Sequence, residues 1–258
     1  RDWSSDVCSS DLKLLGSKLI DVPSVAGKLT VDAVDRAVWG IGDQHHVQAM
    51  VVSLTESTEL GTVYTVAELR ELADWAHGRG LLVHVDGARF ANAAASLGVS
   101  LGDLAGDSDI DMLSFGATKN GALGAEAVVV LKPGLADVLP FLRKQSMQLA
   151  SKMRFVSAQL VALLEGDLWL RNATHANAMA ARLAAALDGV DGLRISHPVQ
   201  VNAVFAVLAR EHIEALQSRH TFYVWDENAD QVRWMTAWST TEGDVDAFAA
   251  DVRTTVTA

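Results

Sequence analysis

The sequence predicts an α/β fold, in which a mainly parallel sheet flanked by helices is followed by a smaller α+β unit. From residue 13 onward, short apolar runs alternate with amphipathic helical patterns, as in a parallel sheet covered by helices. Helical patterns dominate after about residue 134, and the last third alternates short strands with helices. These observations predict one incomplete α/β layer and one small mixed unit.

Five apolar runs of strand length lie in the first half of the chain. Runs of this length bounded by polar or glycine-containing segments are typical of buried strands. At these intervals they indicate a doubly wound α/β layer, in which ligands collect beyond the carboxyl ends of the strands. The runs are KLLGSKLIDV (13–22), VQAMVVSL (47–54), LLVHVD (81–86), IDMLSF (110–115) and AEAVVVL (125–131).

Helices are predicted between these strands. Thr30 is a candidate cap for a short helix within 27–38, and residues 88–98 form another helical pattern. In TVAELRELADWAHGRG (65–80), Thr65 and Glu68 have capping-box spacing, and glycines mark the end. One face of that helix is apolar and consists of Leu69, Leu72, Ala73 and Ala76.

The second half is expected to form bridging helices and a small domain. Helical patterns extend to about residue 187, and a final helix is expected from Thr241. We therefore divide the chain into part of a large domain (13–154) and the bridging helices with the small α+β domain (155–258).

The first twelve residues, RDWSSDVCSSDL, stand apart from the rest. They match the translation of a common sequencing-library adapter, which predicts that they are an artefact joined to a gene cut upstream. Cys8 is the only cysteine and belongs to this segment, so no disulfide or cysteine chemistry is expected.

Composition excludes several classes of partner. The chain has 258 residues, 50% of them hydrophobic, which is enough for a substantial core. Its formal net charge is -11, and no run of lysines or arginines suggests binding to nucleic acid or to an anionic membrane. Because no apolar stretch is long enough for a membrane span, we expect a soluble, cytoplasmic protein.

Lys119 is the first candidate for chemistry. It lies in DMLSFGATKNGALGAEAVVVL (111–131), between two apolar runs and beside several glycines. A lysine in a poorly hydrated pocket has a lowered pKa and can act as a nucleophilic amine that forms a Schiff base. Taken alone, this window also fits an ordinary loop lysine.

Asp86, at the end of LLVHVDGAR, is the second candidate. Alternation along a strand places His84 and Asp86 on the same face, and Arg89 follows at the start of the next helix. A carboxylate at a buried strand end needs a cation or a ligand. One such cation is the pyridinium nitrogen of pyridoxal phosphate, and a structural ion pair with Arg89 is the alternative.

These windows, with others in order, resemble the low-specificity L-threonine aldolases, which are pyridoxal-phosphate-dependent lyases of fold type I. The resemblance runs from about residue 13 to the end. It is carried by GKLT, SLTESTELGTVYTVAELRELADWAHGRGLLVHVDGARFANAAASLG, LSFGATKNGALGAEAVV, QLASKMRF, HANAMAARLAA, NAVFA and VRWMTAWSTTEGDVDAF. HVDGAR, GATKNG and VRWM together are the specific combination.

The resemblance implies a role for each matching residue. Lys119 would hold pyridoxal 5'-phosphate covalently, and Asp86 would pair with its pyridine nitrogen. Arg89 and Arg233 would bind the substrate carboxylate, Arg89 also lying beside the cofactor. Thr118, His84 and Arg154 are the further cofactor-pocket candidates, each of which also fits a purely structural role. The family also implies an amino-acid substrate and a homodimer or homotetramer with shared active sites.

The other histidines and the tryptophans are expected to be structural. His45 and His46 are adjacent in a polar loop, and His175 and His197 have no acid or thiol at metal-ligand spacing, so no metal site is predicted. Trp225, Trp234 and Trp238 are interpreted as core and interface anchors of the small domain.

The expected activity is retro-aldol cleavage of L-threonine, L-allo-threonine and related β-hydroxy-α-amino acids to glycine and an aldehyde. The family's phosphate-binding turn, ring-stacking histidine and carboxylate-binding serine have no obvious counterpart here, so the chain itself could be inactive. Two alternatives stay open: another fold type I reaction, such as β-elimination or transamination, and a non-catalytic α/β binding protein.

Overall fold

The first sheet has four strands in chain order. The computed structural model describes residues 16–257. The strands are β1 (Val51–Thr55), β2 (Leu82–Gly87), β3 (Met112–Gly116) and β4 (Glu126–Val130). β1 pairs with β2 and β2 with β3 in parallel, and β4 runs antiparallel to β3. The mainly parallel α/β layer predicted from the sequence is confirmed.

The strand predicted at 13–22 is wrong over its described part. Residues 16–22 form no strand, and residues 13–15 lie outside the described range, as does the whole twelve-residue segment interpreted as an adapter. Leu19 and Ile20 remain 43% and 42% exposed. Apolar residues alone do not make a strand, because its backbone N–H and C=O groups need a partner ladder.

Within residues 16–257, the helices that accompany this sheet are α1 (Val31–Ala37), α2 (Val66–His77), α3 (Phe90–Leu97) and α4 (Leu101–Asp107). Thr30 caps α1, and Thr65 and Glu68 form the predicted capping box of α2. The predicted apolar face of α2 is buried in the first core. Alternate strand residues such as Val52, Val83 and Leu113 are buried in the same core.

The other face of the first sheet is more open. Val51 and Ser53 are exposed, and His84 and Asp86 are half-buried. The chemically interesting residues of β2 therefore project from the open face, while the residues between them anchor the strand in the core.

Three further helices connect this unit to the second sheet: α5 (Leu139–Gln145), α6 (Met153–Leu164) and α7 (Leu168–Leu187). α6 packs on the first core through Val156, Leu160 and Leu163. The first turn of α7 contacts the first core, and Met179 to Leu187 contact the second core. α7 thus joins the two cores.

The second sheet is antiparallel throughout. Its strands are β5 (Leu193–Ile195), β6 (Ala203–Leu208), β7 (Tyr223–Asp226) and β8 (Gln231–Met235), in the order β5-β6-β8-β7. α8 (Arg210–Gln217) and α9 (Glu242–Val256) accompany it, and α9 begins after the capping residue Thr241. A second core forms between α7, α9 and this sheet.

Two contacts tie the units together near the open face. Asn92 of α3 and Asn177 of α7 exchange hydrogen bonds of 2.9 Å. The loop after β1 reaches the second unit, where the Val63 amide donates to Gln200 Oε1 at 2.9 Å. This loop brings residues of the first unit next to β6 and β8.

Candidate active site

Asp86 and Lys119 come from neighbouring parallel strands. Asp86 lies near the end of β2, opposite Ser114 of β3, and Lys119 lies in the short 3-10 turn Thr118–Asn120 that follows β3. Because the carboxyl ends of parallel strands meet at one edge of a sheet, both side chains belong to the same edge. This edge, which we call the carboxyl edge, is the candidate site.

The turn that carries Lys119 is fixed by its neighbours. Asn120 is buried, donates from Nδ2 to the Trp169 carbonyl at 3.0 Å and accepts at its own carbonyl from Asn172 Nδ2 at 2.8 Å. Gly121 has φ +113, and a Cβ there would stand 2.8 Å from Asn172 Nδ2. A side chain at Gly121 would therefore both strain the backbone and displace the clamp on the turn.

The environment of Lys119 lowers the pKa of its amine. One side of the side chain is open to solvent, but the surrounding protein removes water from the rest, and this desolvation is the main cause of a lowered pKa. The charge of Arg89 lowers the Lys119 pKa further, while Asp86 and Glu59 act in the opposite direction. These groups lie close enough to influence the same amine.

Asp86 is held by the backbone that follows it. Its Oδ1 accepts a hydrogen bond of 3.0 Å from the Ala88 amide. Two residues earlier, on the same face, His84 forms hydrogen bonds of 2.9 Å with Ser53 of β1 and with Ser114 of β3. The histidine therefore links three strands directly beside Asp86, which fits a supporting role.

The two predicted carboxylate-binding arginines come from different units. Arg89 is the N-cap of α3, and Arg233 is half-buried in β8. Desolvation lowers the pKa of Arg233, and the charge of Arg89 adds to that effect. The two guanidinium groups therefore influence each other electrostatically, although they come from different units.

Arg233 keeps unused hydrogen-bonding capacity. Its Nε is buried and has no hydrogen-bond partner among residues 16–257. Its Nη1 lies 3.8 Å from Glu59 Oε2, and its guanidinium carbon lies 4.4 Å from the centre of the Trp225 ring. Arg233 is therefore held in one orientation, but its Nε–H donor has no partner among the described residues.

The remaining predicted site residues are placed less centrally. Thr118 is exposed, and its Oγ1 accepts from the Ala125 amide at 3.2 Å, which shows a turn-stabilising contact. Arg154 is exposed near the start of α6 and lies over its neighbour Phe155. Gln159 of the same helix accepts from the Leu123 and Gly124 amides, so α6 does adjoin the loop after Lys119.

Sequence reasoning missed two acidic residues in the loop after β1. Glu59 approaches Arg233, as described above, and Glu56 is fully buried with its backbone amide bonded to the Asp86 carbonyl at 2.9 Å. Burial raises the pKa of Glu56 to about 8. The available signal was the position of TESTELG directly after a predicted strand, at the edge where ligands bind.

The other histidines have ordinary partners. His46 contacts Asp43 at 2.9 Å, His175 contacts the Thr240 carbonyl at 2.6 Å, and His197 lies 3.2 Å from Gln231. Over residues 16–257 no group of three or more histidine, cysteine, aspartate or glutamate side chains is arranged to hold a metal ion. None of the helices in that range is long and apolar enough to cross a membrane.

A parallel sheet with an aspartate and a lysine at its carboxyl edge, joined to a small antiparallel unit, defines a fold type I pyridoxal-phosphate enzyme. The profile of the beta-eliminating lyase family matches residues 8–211. The chain belongs to this family and, within it, to the low-specificity L-threonine aldolases.

Individual relatives support that assignment. The low-specificity L-threonine aldolase of a Pseudomonas species is 38% identical over 94% of this chain and 70% of the relative, and that of Pseudomonas aeruginosa is 40% identical over 92% and 69%. The structure of the threonine aldolase of Leishmania major superposes with a TM-score of 0.87 at 30% identity, covering 95% of this chain and 72% of the other.

Proposed function

We propose that this chain is a pyridoxal-phosphate-dependent lyase that cleaves L-threonine, L-allo-threonine and related β-hydroxy-α-amino acids to glycine and an aldehyde. The observation that carries the proposal is the convergence of Lys119, Asp86 and the two arginines at the carboxyl edge. The aldolase relatives supply the reaction and the substrate class.

The chemistry of the residues fits the cofactor. Lys119 offers an amine with a lowered pKa, which suits covalent attachment of an aldehyde, and Asp86 projects from the same edge of the open sheet face. When bound, pyridoxal phosphate supplies an electron sink for the bond that breaks at the substrate α-carbon. We propose Asp86 as the partner of its pyridine nitrogen, His84 as support, and Thr118 and Arg154 as further residues of its pocket.

The two arginines would bind and orient the substrate. A planar guanidinium fork matches a planar carboxylate, and Arg233 has donors to spare. Arg89 and Arg233, which come from different units, would fix the carboxylate, and with it the α-carbon, relative to Lys119. When the Lys119 amine is uncharged, its Nζ can accept a proton from the substrate and later return it to the product.

Product analysis tests this proposal. Incubation with pyridoxal phosphate and L-threonine should give equal amounts of glycine and acetaldehyde, measured by chromatography and by a coupled dehydrogenase. Pyruvate and ammonia from a β-substituted alanine, without glycine from threonine, would instead indicate a β-eliminating reaction. A chain that develops no visible absorption with pyridoxal phosphate would support a non-catalytic binding protein.

We further propose that the chain acts as a homodimer or homotetramer. The segment around α5 buries none of its own residues within the described chain, and it exposes large apolar side chains. Val138, Phe141, Leu142 and Met147 are 58%, 69%, 48% and 89% exposed, respectively. A contiguous apolar surface of this kind is typical of a protein interface. Light scattering of the wild type and of Phe141→Asp should show loss of the oligomer in the variant.

Two further expectations remain proposals. We place the boundary between the large and small units at residues 154 and 155, and a cytoplasmic location fits the aldolase relatives. Limited proteolysis tests the boundary: cleavage should be concentrated near the start of α6, whereas rapid cleavage inside either sheet would contradict the division.

A further inference from the structure

A β-bulge in β7 contains one tryptophan. Tyr223 pairs with Arg233 and Val224 with Val232, but the next pair joins Asp226 to Gln231. Trp225 is therefore the extra residue of the bulge. Bulges are common beside active sites. Trp225 lies two residues after Tyr223, the register partner of Arg233, so strand alternation also places it on the face of Arg233.

The Trp225 ring lies against the candidate substrate-binding arginine. The Arg233 guanidinium carbon is 4.4 Å from the centre of the Trp225 ring, well within the range of a cation–π contact. Such a contact is worth more when the guanidinium is partly desolvated, and Arg233 is half-buried. The ring thus restrains one face of the fork without using any of its N–H donors.

Trp225 is itself fixed from behind. Its ring meets Phe205 edge to face at 5.5 Å, and Phe205 meets His197 in the same manner at 5.3 Å. Phe205 is 1% exposed and is the register partner of Arg233 on β6. The tryptophan therefore has a rigid support inside the small unit.

The unpartnered Nε of Arg233 indicates that the supported guanidinium can bind a ligand. Its Nε has no partner in the described part of the chain, and the contact of Nη1 with Glu59 is long at 3.8 Å. A structural arginine would normally be saturated by carboxylates or carbonyls. Here the plane of the guanidinium is set by an aromatic face, which leaves its edge for a carboxylate.

We propose that Trp225 is a positioning residue that fixes the plane of the Arg233 guanidinium and thereby determines the affinity for the α-carboxylate of the substrate. This inference rests on the proposed function. It replaces the interpretation of Trp225 as a simple core anchor.

The test compares ligands that differ only in the carboxylate. KM for L-threonine and L-threoninamide, and Kd for glycine and glycinamide by calorimetry, are measured in the pyridoxal-phosphate-loaded wild type, Trp225→Phe and Trp225→Leu. Trp225→Leu should raise KM for threonine and Kd for glycine about tenfold, with kcat changed less than about threefold. The amide ligands should be affected less than about twofold.

The chain provides a matched control. Trp75 on α2, a helix of the first unit, has Arg79 over its ring at 4.3 Å. Trp75→Leu removes an equivalent cation–π pair outside the site and should leave both ligand classes unchanged. If Trp225→Leu does not fold, Trp225→Phe is used for the test. KM for threonine and Kd for glycine should then rise about threefold, because a phenyl ring binds cations less strongly than an indole ring. The amide ligands should be less affected.

Two results would overturn the inference. Equal losses for the carboxylate and amide ligands would show that Trp225 only supports the fold, and no loss in either variant would show that the ring does not position Arg233. A wild type that neither cleaves threonine nor binds glycine would refute the proposed function itself, and is recognised before any variant is compared.

Discussion

The carboxylates at the two edges of the first sheet differ in how fully they are paired with other groups. At the amino edge, Asp111 lies directly before β3 and is 3% exposed. It accepts from the Val83 amide at 2.6 Å and contacts His77 at 2.9 Å and Lys132 at 3.3 Å. Burial alone would raise the pKa of Asp111, but these partners lower it below its usual value.

At the carboxyl edge, the charged side chains are less fully paired with other groups of the protein. The Asp86 carboxylate has a backbone donor, Lys119 has a lowered pKa, and Arg233 retains an unpartnered Nε among the described residues. Charged groups whose hydrogen bonds and ion pairs are all satisfied within the protein hold strands together. Charged groups with unused hydrogen-bonding capacity can bind a ligand instead. The comparison separates a structural ion cluster from a candidate active site.

Replacing Lys119 should have the largest effect. Lys119→Ala removes the amine that we assign to covalent attachment and proton transfer, so threonine cleavage should fall by about 10⁴-fold or more. Cleavage is followed as acetaldehyde release, and binding as visible absorption on titration with pyridoxal phosphate. Lys152→Ala, at an exposed lysine just before α6, is the matched control and should behave as the wild type.

Glu56 is the one carboxylate at the carboxyl edge that we expect to control stability. Its pKa rises from 4.5 to about 8 on folding because of burial, so its favourable contribution is complete below pH 4.5 and is lost as the pH rises through 8. This shift corresponds to on the order of 4 to 5 kcal/mol. Glu56→Gln should therefore flatten the fall in stability of the wild type between pH 5 and 9.

Urea unfolding at a series of pH values measures this effect. Glu165→Gln, at an exposed glutamate after α6, should leave the pH dependence of the wild type unchanged. Parallel curves for the wild type and Glu56→Gln would show that Glu56 is already ionised in the folded protein.

Matched asparagine substitutions should separate the two edges. Asp86→Asn keeps the acceptor for the Ala88 amide but removes the charge, so activity should fall about 10- to 100-fold with little change in stability. Asp111→Asn should instead cost about 1 to 3 kcal/mol of stability, with kcat nearly unchanged in the folded protein. If Asp86→Asn lost mainly stability and Asp111→Asn lost mainly activity, the distinction between a structural ion cluster and a candidate active site would be wrong.

The smallest expected effect concerns the charge beside Lys119. Arg89 lowers the Lys119 pKa, so Arg89→Gln should move it upward, towards the ordinary value for a lysine. The pH dependence of Lys119 acylation, measured by mass spectrometry without cofactor, reports this directly. Arg143→Gln, at an exposed arginine of α5, serves as the control, and a downward shift for Arg89→Gln would show that Arg89 acts mainly by packing.

Local sequence rules predicted much of the first unit. Thr65 and Glu68 predicted the start of α2, and the apolar run LLVHVD predicted that Asp86 lies at the carboxyl end of a buried strand. The same rules failed at 13–22, because apolar content does not reveal whether a partner strand is available. They also could not show that β4 is antiparallel, since direction depends on how the chain returns to the sheet.

The contacts around Arg233 were the hardest to predict. Glu59 and Arg233 are 174 positions apart by their residue numbers, and nothing local in either segment indicates that they meet. Trp225 fits a core anchor by composition, and only the folded structure shows that its ring lies against Arg233. Long-range pairing and bulges depend on tertiary packing, which a linear pattern does not contain.

The most direct test of the account is the identity of the lysine that carries pyridoxal phosphate. The chain is incubated with the cofactor, reduced with borohydride, digested and mapped by mass spectrometry. The account predicts the phosphopyridoxyl group on Lys119, and its loss in Lys119→Ala. Stoichiometric modification of another lysine, with Lys119 unmodified, would contradict it.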